Sequence, residues 1–547
     1  MIAPTTWRLL ALCAIGAAAF FLRAQQLGRQ VVIDDEWHAI HKLLASGYGG
    51  IVASFGQVDH SIPLTLLYKL AADTVGLGEG ILHLPPLIAG LATVALLTAW
   101  AWKRLGPEVA LVFGWLLAAS PLLVEFSRYA RPYAFVVLLA AIAYIAADRW
   151  WKREGGRGAL AAWLVASLLA TWLHPLAGPV VGAPMLFFLA EAMLLDGIAR
   201  RAAAWRALKA GMAFGMLAAP LVLLPIVADP MAYAGKAGFG KFEWRTPVTL
   251  LYLGAGSRHA SVVIAFAALL AGGTLLLLRR HVREVALVAS GAVLLTLALA
   301  FMRPLLMEEG LVFARYTLEF LPAILLAVAV GIVALARLAP NPAPRGAIAV
   351  GMLLFLCWGT MLAKPLKVPT SYSQHTYFTF DPRAAENKPN AVITQMPLSP
   401  FWTEVAPRIV PPDGLIAIAP WRFESPLNVL PILEARSGRR IHPAFLLGYC
   451  NVPRYGEAPP GRGVKLRNAV RLGDANDLAR ANVRVIVWQK RWLAPGQETD
   501  ALERYKWFVE PLTLRYPECE QLLRRDYGPP LYEDEWLVAF RAGAAQQ

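Results

Sequence analysis

Charge and cysteine are what this chain of 547 residues has least of. Charged residues make up 16% and hydrophobic ones 57%, against about 25% charged in soluble domains. So little charge cannot solvate a globule of this length, and the composition is that of an integral membrane protein. Four cysteines exclude a disulfide-dense scaffold, and they do not stand at zinc-ligand spacing with histidine. There is no P-loop, nucleic-acid-binding motif, internal repeat or low-complexity segment. A cleavable signal is also missing: the apolar run at 7–27 is long for a signal core and lacks a convincing cleavage site, so it reads as a retained first span. The net charge of +15 then belongs to the collar of a multi-span protein or to a site for phosphorylated lipid, not to nucleic acid.

Runs near the length of about 20 residues that crosses a bilayer fill the first two thirds. They fall at 7–27, 84–102, 108–126, 131–148, 159–174, 176–196, 209–228, 260–278, 285–302, 317–336 and 347–363. The pairs in 108–148 and 159–196 have very short connections and are the least secure divisions. Lys and Arg crowd one set of ends, including Lys103, Arg104, Arg149, Lys152, Arg153, Arg200, Arg201, Arg279, Arg280, Arg283 and Arg337. The positive-inside rule makes that set cytoplasmic. The N-terminus is then inside and, after an odd number of spans, the tail outside.

The longest connection, Gly28 to Gly80, is external. It holds three adjacent acids, Asp34, Asp35 and Glu36, followed by amphipathic stretches at Glu36–Leu44 and Ile62–Leu70 that suit the membrane interface. Three carboxylates at a membrane face suit chemistry, although a solvated loop is also acidic. Asp59-His60 precedes the second stretch, where an acid caps a helix N-terminus. A second external loop, Asp229 to His259, mixes Gly, Tyr, Phe and Trp with Lys236, Lys241, Arg245 and Arg258. It reads as a cover over a sugar or phosphate, or as an interfacial aromatic belt.

Beyond Lys364 the spans stop. Short β-like runs at 414–421, 483–489 and 536–542, with a helical pattern at Pro426–Arg436, predict a compact external α/β domain. The division is a membrane domain at 1–364 and an α/β domain at 365–547. Cys13 and Cys357 lie in apolar runs as buried thiols. Cys450 and Cys519 are a candidate disulfide if the tail faces an oxidising compartment.

Several stretches resemble the GT-C glycosyltransferases. These polytopic enzymes use polyprenyl-phosphate sugars and include the protein O-mannosyltransferases and the lipid A aminoarabinose transferases. Asp35-Glu36 in the first external loop resembles their acidic signature. DHSIPLTLLYKL (59–70) is similar to their acid/His-Pro-Pro-Leu-Tyr stretch, with Ser61-Ile62 in place of the first Pro and His60 where some members have Lys. SRYARPYAF (127–135), TWLHP (171–175) and FARYTLEFLP (313–322) resemble their Arg-Pro-Tyr, external His and Arg-Tyr…Pro pieces. The resemblance covers about residues 7–364 and implies a GT-C-like bundle of about eleven transmembrane helices.

It also implies transfer of one hexose or pentose from a polyprenyl-phosphate donor to a glycolipid, glycan or protein hydroxyl, outside a bacterial inner membrane. The chemistry points the same way. A sugar on a lipid phosphate carries a good leaving group, so what remains is to deprotonate the acceptor and neutralise the phosphate. A carboxylate does the first: Asp35, with Asp34 as its competitor and Glu36 orienting a neighbour or capping the helix. Cationic side chains do the second, with no metal or cofactor. Arg315 with Tyr316 leads this set, followed by Arg128, Arg131 with Tyr133, His174, and His60 with Asp59. For the arginines the alternative is snorkelling to lipid headgroups. The rival function is a transporter or flippase, which places ionisable groups near the bilayer midplane; here the acids cluster at external span ends.

Overall fold

A computed structural model describes residues 4–25, 27, 32, 36–56, 61–234, 245–257, 259–302, 314–357, 399–419, 433, 436–443, 463–464, 466, 472–490 and 517–543. The chain forms two compact units. One comprises Met1–Leu27, Gly49–Leu66 and His83–Val368; the other comprises Gly28–Tyr48, Leu67–Leu82 and Pro369–Gln547. The connection between the first two long helices therefore contributes residues to both.

In chain order the helices of the first two thirds are α1 (Pro4–Ala24), α2 (Glu36–Ala45), α3 (Tyr48–Val52), α4 (Ile62–Thr74), α5 (Glu79–Leu105), α6 (Pro107–Ala119), α7 (Pro121–Phe126), α8 (Tyr133–Trp151), α9 (Gly156–Leu173), α10 (Ala177–Met193), α11 (Gly197–Ala228), α12 (Pro230–Ala234), α13 (Arg245–Ala255), α14 (Ala260–Arg280) and α15 (Val282–Met302). A 3-10 turn, Leu318–Phe320, runs into the helix Leu321–Ala336, and Pro342–Leu356 follows. Among the described residues eight helices are long and apolar enough to cross a membrane. Three shorter apolar ones, α6, α10 and Pro342–Leu356, fall on the remaining expected runs at 108–126, 176–196 and 347–363. The run at 108–126 is broken because Pro121 has no N–H to continue α6, and a second helix starts there with Pro at its first turn.

Bundle packing relies on small residues where the hydrophobic effect between spans is weak. Helices α14 and Leu321–Ala336 meet backbone to backbone: a Cβ on Gly273 would strike the Ala327 carbonyl, and one on Gly331 the Leu269 carbonyl. The dense basic ends gather at one end of the bundle and are matched by acids. Arg283 bonds Asp148 (2.5 Å) and Glu191 (2.6 Å), Lys152 bonds Asp148 (3.0 Å) and Glu284 (3.3 Å), and Arg337 bonds Glu108 (2.8 Å).

The unit containing the tail carries a five-stranded sheet in the order β2-β1-β3-β5-β4, with β1 Leu415–Ala419, β2 Arg440–Pro443, β3 Val483–Gln489, β4 Tyr532–Glu533 and β5 Leu537–Arg541. β1 pairs in parallel with β2 and β3, while β5 is antiparallel to β3 and β4. All of LIAIA in β1 is buried, as a strand covered on both faces requires. Phe401 and Trp402 pack on one face, and Leu478, Leu523 and Tyr527 on the other. The three expected β runs are thus strands. The pattern at Pro426–Arg436 lies almost wholly outside the described residues. The fold class is the one expected, a polytopic helical protein with a small C-terminal α/β domain.

The expectation of buried thiols at Cys13 and Cys357 is corrected. Cys13 and Cys357 are exposed thiols, because an apolar span offers a lipid-facing side as readily as a protein-facing one. Cys519 is disulfide-bonded and fully buried; Cys450 lies outside the described residues.

Candidate functional site

Three motifs far apart in sequence meet at the bundle end opposite the charged collar. The first is the Ser127–Pro132 turn between α7 and α8. Pro132 adopts φ −71° directly ahead of α8, the value a helix start uses, which puts Tyr133 at its first position. Tyr133 is buried, and Phe126 meets its ring edge-on at 5.0 Å between centres. Arg131, 2% exposed, sets its guanidinium carbon 6.0 Å from the centre of the Tyr133 ring.

The second motif ends α9. His174 is extended, at φ −154° and ψ 107°, because the residue before a proline is kept out of the helical region; Pro175 follows. Its buried imidazole lies 6.0 Å from the Tyr133 ring and 5.7 Å from the Tyr316 ring. The third precedes the Leu318–Phe320 turn, which packs on α8. Arg315, 7% exposed, brings its guanidinium carbon to 5.9 Å from the same Tyr133 ring. Tyr133 is therefore shared by two buried guanidinium groups and an imidazole. Cations near a tyrosine face gain from the ring quadrupole, and two so placed present donors suited to the oxygens of an anion.

Arg131, Tyr133, His174, Arg315 and Tyr316 are thus brought together. Arg128 goes elsewhere, donating to the Leu22 carbonyl (3.2 Å) in the last turn of α1, where helix carbonyls lack internal partners. Asp34, Asp35, Asp59 and His60 lie outside the described residues, as do Arg258 and most of the Gly-rich loop. Glu36 opens α2 and is fully buried. Tyr68 is buried as well; burial pushes its ionisation well above the usual range, with the Glu36 charge adding to it.

Two further residues escaped the sequence reading. Arg23 is fully buried and donates to the carbonyls of Ala19, Leu117 and Ala118 and to Ser127 Oγ. Glu319, one turn beyond Arg315, lines a cavity of about 130 Å³ inside the bundle with Tyr144, Trp100, Phe113 and Phe320. Its signal was present in the FARYTLEFLP stretch, as an acid four residues after an arginine at a span entry.

No family model and no curated protein matches the sequence. Among solved structures, the chain is similar to ArnT from Cupriavidus metallidurans in the apo state, at 13% identity and TM-score 0.48 over 99% of each chain. It is equally similar to the same protein bound to undecaprenyl phosphate, at 13% identity and TM-score 0.48 over 100% of each chain. The oligosaccharyltransferase of Archaeoglobus fulgidus follows at 12% identity and TM-score 0.36, over 88% of this chain and 68% of that one.

Proposed function

We propose that this protein is a membrane glycosyltransferase that moves one sugar from a polyprenyl-phosphate donor to an acceptor hydroxyl on the outer face of a bacterial inner membrane. The N-terminus is cytoplasmic and the C-terminal α/β domain extracytoplasmic. The observation that carries this reading is the convergence of Arg131, Arg315 and His174 around Tyr133. These residues come from three motifs that the sequence places at external span ends, where a lipid phosphate lies.

Asp35 takes the proton of the acceptor hydroxyl, with Asp34 as the competing base and Glu36 fixing the start of α2. The acceptor oxygen forms its bond to the anomeric carbon as the bond to the phosphate oxygen breaks, which inverts that carbon. The bonding electrons leave with the polyprenyl phosphate, and Arg131, Arg315 and His174 stabilise the charge that grows there. Tyr316 is the outer wall beside His174. Asp59 and His60 belong to the donor-binding set, and Arg128, bonded to Leu22, serves it by holding α1. The side chains supply the positive charge, so the reaction runs without a metal or other cofactor.

The test incubates the purified protein with polyprenyl-phosphate sugars and host envelope lipids, and compares host surface glycans with and without the protein by mass spectrometry. A sugar-bearing product that disappears with the protein supports the proposal. One observation favours the rival reading of a transporter or flippase: Glu319 inside an apolar cavity of the bundle. If labelled donor crosses vesicles containing the protein while no glycosidic bond forms, that reading replaces this one.

A further inference from the structure

The bundle end that carries the basic collar also holds an arginine with no acid to meet it. Arg206, near the start of α11, folds back onto the end of α8. Its guanidinium carbon lies 4.3 Å from the centre of the Trp151 ring and 5.1 Å from that of Trp150. One of its Nη atoms donates to the Trp151 carbonyl at 2.8 Å, in the last turn of α8, where helix acceptors lack internal partners. Trp151 in turn stacks on Phe188 of α10, with ring centres 4.6 Å apart and planes 3° from parallel. The indole faces and the carbonyl therefore fix the guanidinium in place.

The counter-charge is what sets Arg206 apart. Arg283 lies 5.7 Å from the same Phe188 ring and is neutralised by Asp148 and Glu191. Among the described residues no carboxylate pairs with Arg206 or Lys209, and Arg206 Nε is buried without a hydrogen-bond partner. A guanidinium carries five N–H groups, and a fixed cation at membrane depth is costly unless an anion meets it.

Ala202, Trp205, Arg206 and Lys209 stand at i, i+3, i+4 and i+7, so they share one face of α11. They line an open depression of about 590 Å³. Farther along that face come Met212 and Met216, which are exposed, as is Trp205. The face thus passes from two cations, past an indole, to flexible apolar side chains that conform to an irregular surface. A phospholipid has the same profile along its length: a phosphate, a glycerol and an acyl chain.

We propose that this face of α11 binds one anionic phospholipid from the leaflet at the basic end. The phosphate oxygens accept from Arg206 and Lys209, and the acyl chain lies over Met212 and Met216. The fixed fork of Arg206 matches two oxygens of one phosphate, and Lys209 adds a point charge. Basic pockets beside spans select such headgroups. A choline headgroup brings its own cation, which offsets the attraction, so the site discriminates against it.

The experiment places the full chain in nanodiscs of phosphatidylglycerol and phosphatidylcholine in equal parts and identifies the lipid retained on release by native mass spectrometry. The wild type is expected to keep one phosphatidylglycerol in preference to phosphatidylcholine. Arg206→Gln should lower that occupancy by about tenfold, the effect of losing one charge-assisted contact. Arg206→Lys should recover only part, because an ammonium has no planar fork. Lys209→Gln alters an exposed side chain and should also lower the occupancy, which keeps the test open if Arg206→Gln fails to fold. Arg280→Gln removes the same charge from the end of α14, outside the depression, and should leave the occupancy at the wild-type level. Equal losses in Arg280→Gln and Arg206→Gln would reduce the effect to the general attraction of a basic collar and overturn the site. Retention of phosphatidylcholine as readily as phosphatidylglycerol, or wild-type occupancy in Lys209→Gln and Arg206→Gln, would overturn it too. Displacement of phosphatidylglycerol by inorganic phosphate would assign the two cations to a soluble anion instead of a lipid. None of these measurements uses a sugar donor, so they stand whatever the transfer assay shows.

Discussion

The guanidinium carbon of Arg315 lies 5.9 Å from the centre of the Tyr133 ring, although one residue leads into a late span and the other opens α8. Arg131 meets the same ring at 6.0 Å. This pairing makes Arg315 the first residue to vary. Losing one charge-assisted contact, worth about 1.5–3 kcal/mol, should weaken donor binding by roughly ten- to a hundredfold in Arg315→Ala. Arg315→Lys should recover only part, since an ammonium lacks the fork that spans two phosphate oxygens. The measurement is apparent donor affinity at saturating acceptor. Wild-type affinity in both variants, with failure of Arg131→Ala, would move the phosphate to the other guanidinium.

Asp35→Asn should abolish transfer while leaving expression and donor binding intact, because removing a general base costs roughly 10²–10⁴-fold. Asp34→Asn should retain turnover. The reverse result would shift the base by one position, and activity in both variants would end the single-base mechanism. Chelation with EDTA should change nothing. Activity lost in EDTA and restored by Mn²⁺ or Mg²⁺ would assign the acids to a metal.

Much of this site was legible in the sequence because its residues stand where hydropathy changes. Arg131, Tyr133, His174, Arg315 and Tyr316 all flank apolar runs on the sparsely basic side, and helix packing does the rest by bringing those ends together. Arg128 and Arg131 look equivalent as text, yet the turn through Tyr129 and Ala130 sends one to Leu22 and the other to Tyr133. Arg23 reads as an ordinary snorkelling residue until its carbonyl partners are known, and two of those, Leu117 and Ala118, come from α6. Strands β2 and β4 are too short to show alternation. Gly463 of the tail lies against the backbone of Ala72 in α4, a contact that no local pattern announces.

Acid stability offers a separate check on the C-terminal domain. Hydrogen bonds first from Arg524 and then from Lys490 hold the Glu533 carboxyl at about 2, with contacts of 2.7 and 2.6 Å. They tie the helix Pro517–Tyr527 and the end of β3 to β4. The folded value lies below the unfolded one of about 4.3. This contribution is therefore complete above pH about 4.3 and is lost as pH falls toward 2. The side chains are partly exposed, so solvent screens the interaction and the effect is modest. Glu533→Gln should flatten the pH dependence of the thermal midpoint across that window and leave the neutral-pH slope unchanged. An unaltered acid limb would mean that the three side chains do not act together.

The last prediction concerns Arg23 and Ser127. Arg23 is fully buried and donates to Ser127 Oγ at 3.2 Å, to Ala118 at 2.9 Å, to Leu117 at 3.0 Å and to Ala19 at 3.3 Å. Leu117 and Ala118 belong to the last turn of α6, whose carbonyls have no helical N–H ahead of them because the chain breaks at Ser120-Pro121. A guanidinium carries enough donors to satisfy them and the serine at once, so it locks α1 to the start of the Tyr133 motif. Arg23→Met keeps the length and removes every donor. Each carbonyl left unsatisfied costs about 1–3 kcal/mol, so the variant should lose about 2–5 kcal/mol of stability. Ser127→Ala leaves the carbonyl bonds in place and should lose only about 0.5–1.5 kcal/mol. In the double variant the serine change should add almost nothing, since its partner is already gone. Denaturant unfolding in detergent micelles measures all three. An Arg23→Met protein within about 0.5 kcal/mol of wild type would show that water or lipid headgroups satisfy those carbonyls equally well, and that α1 is held by packing alone.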